Sequence, residues 1–300
     1  PARVLLVFLD GVGVGSADPE RNPFFRVPLP TIERLAGGAP PSLDRLAGAD
    51  AGGGFFPLDA TLGVDGTPQS GTGQTALLTG LDAGALFGGH FGPWIPVRLR
   101  PLVEEQSVLR SVASGGGSVA FANAYPRGWP GPRGSRRIAG PPLAARGAGV
   151  LDRHEEALER GEAVSSEIVN DGWRRVLGHQ GVPEIDADRA GHNLAAIAGR
   201  HDLTLYAHYA TDTAGHTRDM EPAVRALERV DRFLGGILER LSEDTLLVVT
   251  SDHGNVEDIE AGHTRNPALG LAAGPGADEA AAMRDLRDVA PFISRVLGAD

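Results

Sequence analysis

Three apolar runs in this sequence lead into an aspartate: "VLLVFL" (4–9) into Asp10, "LTLYAHYA" (203–210) into Asp212 and "TLLVVT" (245–250) into Asp252. A strand with one wet face alternates apolar and polar residues. These runs do not alternate, so they read as strands buried on both faces of a parallel sheet. A fourth strand is expected in "SVAFANA" (118–124). Between the second and third runs, Met220, Val224, Leu227, Val230, Leu234, Leu238 and Leu241 recur at three- and four-residue steps, the stripe of an amphipathic helix. Strand, helix and strand together predict an α/β, doubly wound, mostly parallel sheet with helices on both faces. Such sheets gather functional groups beyond the carboxyl ends of their strands, where the three aspartates would meet.

Histidines join them. Asp212 lies in "TDTAGHT" with His216 four residues on, and Asp252 is followed by His253 and, ten residues further, by His263. Three carboxylates and three imidazoles form a hard-to-borderline donor set suited to Zn²⁺ or Mn²⁺. The other six histidines (His90, His154, His179, His192, His201, His208) lack this setting and are read as structural or exposed. The chain has no cysteine, which removes thiolate ligands, disulfides and a cysteine nucleophile, and its 28 basic residues include no lysine. A net charge of −11 argues against a nucleic-acid backbone as the main partner. No apolar run reaches the length of a membrane span. The start, "PARVLLVFLDG", reads as a strand and not as a leader, so a cytoplasmic protein acting on a small anionic substrate is expected.

In "TPQSGTGQTALLTG" (67–80) a serine enters a glycine-punctuated turn that runs into a helix-like stretch, and a helix amino end offers N–H groups to an anion. Ser70 needs activation to act as a nucleophile, and with no G-x-S-x-G elbow in the chain, metal activation is the consistent route. "DGVGVGSAD" follows a strand but fails the G-x-G-x-x-G pattern, since Ser16 or Asp18 falls where the last glycine belongs. The stretch 125–149 is dense in Gly, Pro and Arg and reads as an irregular surface excursion. Its Arg127, Arg133, Arg136 and Arg137 could clamp an anionic substrate.

Taken together, "LDGVG", "QSGTGQTALLTG", "TDTAGHT" and "SDHGN…GHTRNP" resemble the alkaline phosphatase superfamily, and most of all the catalytic domain of cofactor-independent phosphoglycerate mutase, with phosphopentomutase next. The resemblance implies that Asp10, Asp252, His253 and the Ser70 oxygen hold one divalent ion (Zn or Mn) and that Asp212, His216 and His263 hold a second. It also implies Ser70 as the nucleophile, ten residues before the glycine matching Gly80, with Thr72 as the fallback. Three departures stand out. Gln74 follows Gly73 where the mutases have a histidine, no lysine is available at the phosphoryl site, and only Leu81 to Gly117 fill the interval in which the mutases carry a large cap domain. The expectation is a single catalytic domain over 1–300 with a lid-like segment at 125–165. It would act as a two-metal phosphoester hydrolase through a phosphoseryl intermediate. The alternatives are a phosphomutase or phosphotransferase, and a metal-binding protein without turnover.

Overall fold

β1 (Arg3–Leu9) lies between two parallel neighbours, β4 (Leu203–His208) and β5 (Thr245–Ser251), and the register sets Leu9 level with both His208 and Ser251. The chains that leave these three strands therefore start from one line across the sheet. In this computed structural model, which describes residues 1–47, 54–131 and 137–299, β3 (Val119–Phe121) adds a parallel edge beside β4. On the other side β6 (Ala268–Ala273) and then β2 (Phe55–Leu58) pair antiparallel, giving the order β2-β6-β5-β1-β4-β3.

Alternation along β1 shows how the sheet is covered. Val4, Leu6 and Phe8 join one apolar cluster, and Leu5, Val7 and Leu9 join another on the opposite face. The first cluster is closed by α1 (Ser70–Thr79) and α2 (Gly140–Gly147), the second by α3 (Ala187–Ala198) and α5 (Met220–Arg240). A short helix, α4 (Ala210–Thr217), follows β4 directly. The result is three layers, helix on sheet on helix. Asp219 caps α5 by accepting from the Glu221 amide, and the expected stripe is buried at Leu227, Val230 and Leu234, with Ala223, Phe233 and Ile237 completing it.

The sequence reading missed two features. β2 and β6 were not anticipated: "FFPL" is short, and "ALGLAA" is mostly small residues without β-branching. The excursion at 125–149 is not all surface, because α2 places Leu143, Ala144 and Ala145 in the first core cluster. Its Gly-Pro-Pro start suits a helix, since proline in the first turn has its φ set in advance and gives up an amide that would have no partner there. Residues 81–117 hold short helices packed on the core, among them Arg100–Gln106 and Val108–Ser114, where the mutases carry a cap domain.

His208 closes β4 fully buried, with its Nδ1 2.7 Å from the Ser166 carbonyl oxygen and no partner for Nε2 among the described residues. Burial lowers its pKa to about 4, against the pull of the Ser166 carbonyl. Between the unfolded value of 6.5 and about 4, the unfolded chain binds a proton that the native state refuses, so this group costs stability as pH falls through that window. By pH 4.5 the loss is about 2.5 kcal/mol. Urea unfolding at pH 7 and pH 4.5 should show that difference shrinking by about this amount in His208→Asn, which keeps a donor toward Ser166 but has no imidazole to titrate. An unchanged difference would mean that His208 carries none of the acid sensitivity.

Candidate metal centre

Asp10 follows β1, Asp252 and His253 follow β5, and Asp212 sits in the first turn of α4 just beyond β4. These positions meet at one edge of the sheet. Gly11 makes the meeting possible: its φ of +68° is in the left-handed region, and a Cβ there would lie 2.4 Å from Asp212 Oδ1.

Two sets of side chains converge. In the first, Asp212, His216 and His263 meet with His216 Nε2 3.1 Å from Asp212 Oδ2, His263 Nε2 3.5 Å from Asp212 Oδ1, and the two Nε2 atoms 3.2 Å apart. In the second, His253 Nε2 lies 3.4 Å from Asp10 Oδ1 and 2.9 Å from Ser70 Oγ, and Asp10, Asp212 and His253 offer donor atoms within 4.8 Å of one another. Asp212 belongs to both. Asp252 stands slightly back, 3.7 Å from His253 Nε2, and its carboxylate accepts from the Gly11 amide at 3.2 Å and from Gln74 Nε2 at 3.0 Å.

The donor set fits divalent cations. His263 Nδ1 faces the Pro68 carbonyl at 3.0 Å and His253 Nδ1 faces the Gly254 carbonyl at 3.1 Å. A carbonyl only accepts, so each Nδ1 carries a hydrogen, and it is Nε2 of each ring that points into the cluster, where it can ligate an ion in place of a proton. Asp10 Oδ1 is buried without a well-oriented donor among the described residues. Charge gives the same answer. Burial, then Asp252 and Asp212, push the Asp10 carboxyl well above its usual range, against His253. Burial opposes charge on His253, yet Asp252, Asp10 and Asp212 raise it to about 10. For Asp212, burial is outweighed by the His263 hydrogen bond, the charge of His253 and the Asn255 hydrogen bond, and the carboxyl is held at about 2. Three carboxylates packed this closely need positive charge, which bound protons supply in part and divalent ions supply in full.

Ser70 and Thr72 face different ways. Ser70, 3% exposed, opens α1 with its hydroxyl toward His253. The Thr72 hydroxyl accepts from the Phe91 amide at 3.2 Å and its own amide donates to the Phe91 carbonyl at 3.0 Å, so Thr72 anchors the loop at 91–94. That loop presses against the helix start: a Cβ on Gly71 would lie 2.2 Å from the Trp94 carbonyl oxygen. The Thr72 and Gly73 amides are both engaged, the latter with Gln69, which leaves the helix start fewer amides for an anion than the sequence suggested.

Two clefts reach Ser70 and share Pro93 and Asp212. One, of about 370 Å³, is walled by Trp94, Tyr125, Trp129 and Tyr209 and has Arg137 at its exposed rim. The other, of about 390 Å³, runs past Gln69, His216, Arg218 and His263. Of the four arginines expected to clamp substrate, Arg137 lines the first cleft. Arg127 is paired with Glu155 and Glu156 and lines neither cleft, while Arg133 and Arg136 lie outside the described residues.

Sequence reasoning also passed over Glu257, which is 1% exposed. It accepts from the Gly13 and Asn255 amides at 2.9 and 2.7 Å, from the Thr264 hydroxyl at 2.6 Å and from Asn266 Nδ2 at 3.0 Å. Asn255 in turn donates to Asp212 Oδ1 at 2.7 Å.

The profile of the Metalloenzyme superfamily matches residues 178–300, which carry Asp212, His216, Asp252, His253 and His263. That segment, rather less than half of the chain, is similar to a Metalloenzyme superfamily domain. Curated relatives include the 2,3-bisphosphoglycerate-independent phosphoglycerate mutase of Halobacterium salinarum, 38% identical over 118 residues, or 36% of this chain and 23% of the mutase. The enzyme of that name from Cereibacter sphaeroides is 37% identical over 127 residues, 39% of this chain and 25% of the mutase. The chain thus spans about a quarter of the length of the curated relatives it matches. Among solved structures, the PH0037 protein from Pyrococcus horikoshii superposes with a TM-score of 0.60 at 14% identity, covering 100% of this chain and 97% of that one. The alkaline phosphatase from the Antarctic bacterium TAB5 does so with a TM-score of 0.52 at 13% identity, covering 99% and 98%. At such identities the likeness is one of fold, and the fold here is alkaline-phosphatase-like.

Proposed function

We propose that this chain is a two-metal-dependent phosphoester hydrolase acting through a phosphoseryl intermediate on Ser70. The observation that carries the reading is the Ser70 hydroxyl, buried at the amino end of α1 and 2.9 Å from His253 Nε2, beside converging carboxylates and imidazoles. Asp10, Asp252, His253 and Ser70 would hold one divalent ion, and Asp212, His216 and His263 the other. Those ions, Zn or Mn, would supply positive charge that acidifies the Ser70 hydroxyl and neutralises the phosphoryl oxygens. Ser70 Oγ, its proton released to solvent, attacks phosphorus in line and the ester oxygen departs. Water then adds to the phosphoseryl phosphorus, the bond to Ser70 Oγ breaks and inorganic phosphate leaves. Gln74 holds Asp252 in place throughout, using the side chain that stands where the mutases have histidine. Arg137 at the cleft rim would orient the anion, and the segment at 125–165, which supplies Tyr125, Trp129 and Arg137, would act as a partial lid.

A hydrolase is favoured over a mutase because a mutase must retain its dephosphorylated intermediate and exclude water until the phosphoryl group returns. Here two clefts lead to Ser70, and residues 81–117 pack on the core, with no cap domain over them among the described residues. Incubation with 3-phosphoglycerate or a pentose 1-phosphate, following free phosphate and isomer together, separates the two. Slow phosphate release at most is expected, and efficient isomerisation without phosphate loss would restore the mutase. Metal analysis of protein purified without chelator should find close to two divalent ions per chain. His216→Ala should lose one of them, and full retention would show that this set binds no ion.

A further inference from the structure

The cleft walled by Trp94, Tyr125, Trp129 and Tyr209 is out of keeping with the rest of the molecule. The whole chain has 3 tryptophans and 3 tyrosines, and only Trp173 and Tyr206 lie elsewhere, both in apolar clusters. These rings come from three segments of the chain, and Tyr125, Trp129 and Tyr209 are fixed by other rings. Tyr125 stacks on the core residue Phe121 with centroids 6.0 Å apart, Trp129 leans on Tyr125 at 4.2 Å, and Tyr209 meets Phe8 edge-on at 6.2 Å. Rings held in advance by the core lose little freedom when a ligand arrives. The floor of the cleft is Ser70 with Asp10 and Asp212, so whatever occupies it lies against the reacting centre. Its volume of about 370 Å³ is in the range of small-molecule sites.

We propose that this cleft receives the leaving group, and that the substrate is a phosphoester of an aromatic or similarly flat, apolar alcohol. The proposal rests on the reading of Ser70 as nucleophile. A small, carboxylated leaving group would put its charge against these rings and gain little from them, whereas a flat apolar group would exchange water for ring contact. Arg137 at the rim is left to meet the phosphoryl group or a polar end of the alcohol.

Benzyl phosphate and ethyl phosphate test this, because both release a primary alkoxide and differ chiefly in the ring. kcat/KM of the metal-loaded protein should favour benzyl phosphate on the order of 30-fold. Trp129→Ala and Trp94→Ala should each lower that ratio roughly tenfold. Trp94 is 38% exposed, so its variant does not depend on core repair to fold. Benzylphosphonate, which has no ester to cleave, should quench tryptophan fluorescence and bind more tightly than methylphosphonate by a similar factor. Equal turnover of the two esters and equal binding of the two phosphonates would overturn the pocket and leave the hydrolase intact. Turnover of neither ester, with benzylphosphonate still preferred, would overturn the hydrolase and leave the pocket.

Discussion

Replacing Ser70 with alanine should lower kcat/KM toward phosphoesters on the order of 10⁴-fold or more while leaving the unfolding transition nearly unmoved. The activity loss follows from chemistry: no other hydroxyl at the head of α1 faces the carboxylate–imidazole cluster, because Thr72 is tied to Phe91 through both its amide and its hydroxyl. The small stability effect follows from what the substitution removes, a single oxygen whose partner is an imidazole within a polar cluster. Thr72→Ala should behave in the opposite sense, costing about 1 kcal/mol of stability through the freed Phe91 amide and slowing turnover far less. Acid-quenched wild-type protein incubated with substrate should carry phosphate on Ser70 by peptide mass spectrometry, and Ser70→Ala should carry none. Phosphate found on Thr72, or a larger activity loss in Thr72→Ala, would move the nucleophile.

The central strands could be seen in the sequence because burial on both faces forbids polar alternation, and β1, β4 and β5 begin and end within two residues of the apolar runs that announced them. The long helix was legible from its apolar spacing. The meeting of the three aspartates was legible for a different reason, since a carboxylate at the end of a buried parallel strand has a default destination. The antiparallel edge was not, because β6 is mostly alanine and glycine and is held by partners distant in sequence, β5 and β2 among them. Arg127 and Arg137 looked alike in the sequence, and only the positions of Glu155 and Glu156 separate a surface ion pair from a cleft residue. The aromatic cleft was beyond reach because Trp94, Tyr125 and Tyr209 share no motif and meet only in three dimensions.

Glu257 was equally silent, one acid among several in "NVEDIE", and its replacement should have the largest effect on stability of any single change near the site. It is nearly inaccessible, and each of its oxygens accepts two hydrogen bonds: Oε2 from the amides of Gly13 and Asn255, Oε1 from Thr264 and Asn266. These four donors belong to three segments, the turn after β1, the loop after β5 and the return toward β6. The first two follow on from Asp10 and from Asp252 and His253, and the third carries His263. Removing the carboxylate leaves four donors without their acceptor, and a buried donor left unmet costs about 1 to 3 kcal/mol. Glu257→Gln separates charge from volume. The amide fills the same space, but its NH₂ would point at two of the donors, so it should recover little of the loss in Glu257→Ala. Urea unfolding of metal-free protein should show both variants destabilised by more than 2 kcal/mol, a threshold set by the cost of leaving buried donors unmet. Metal titration of whatever remains folded should show weaker binding, because the segments bearing His253 and His263 are no longer held in register. A Glu257→Gln protein as stable as wild type would mean that packing alone, and not the carboxylate, joins the three segments.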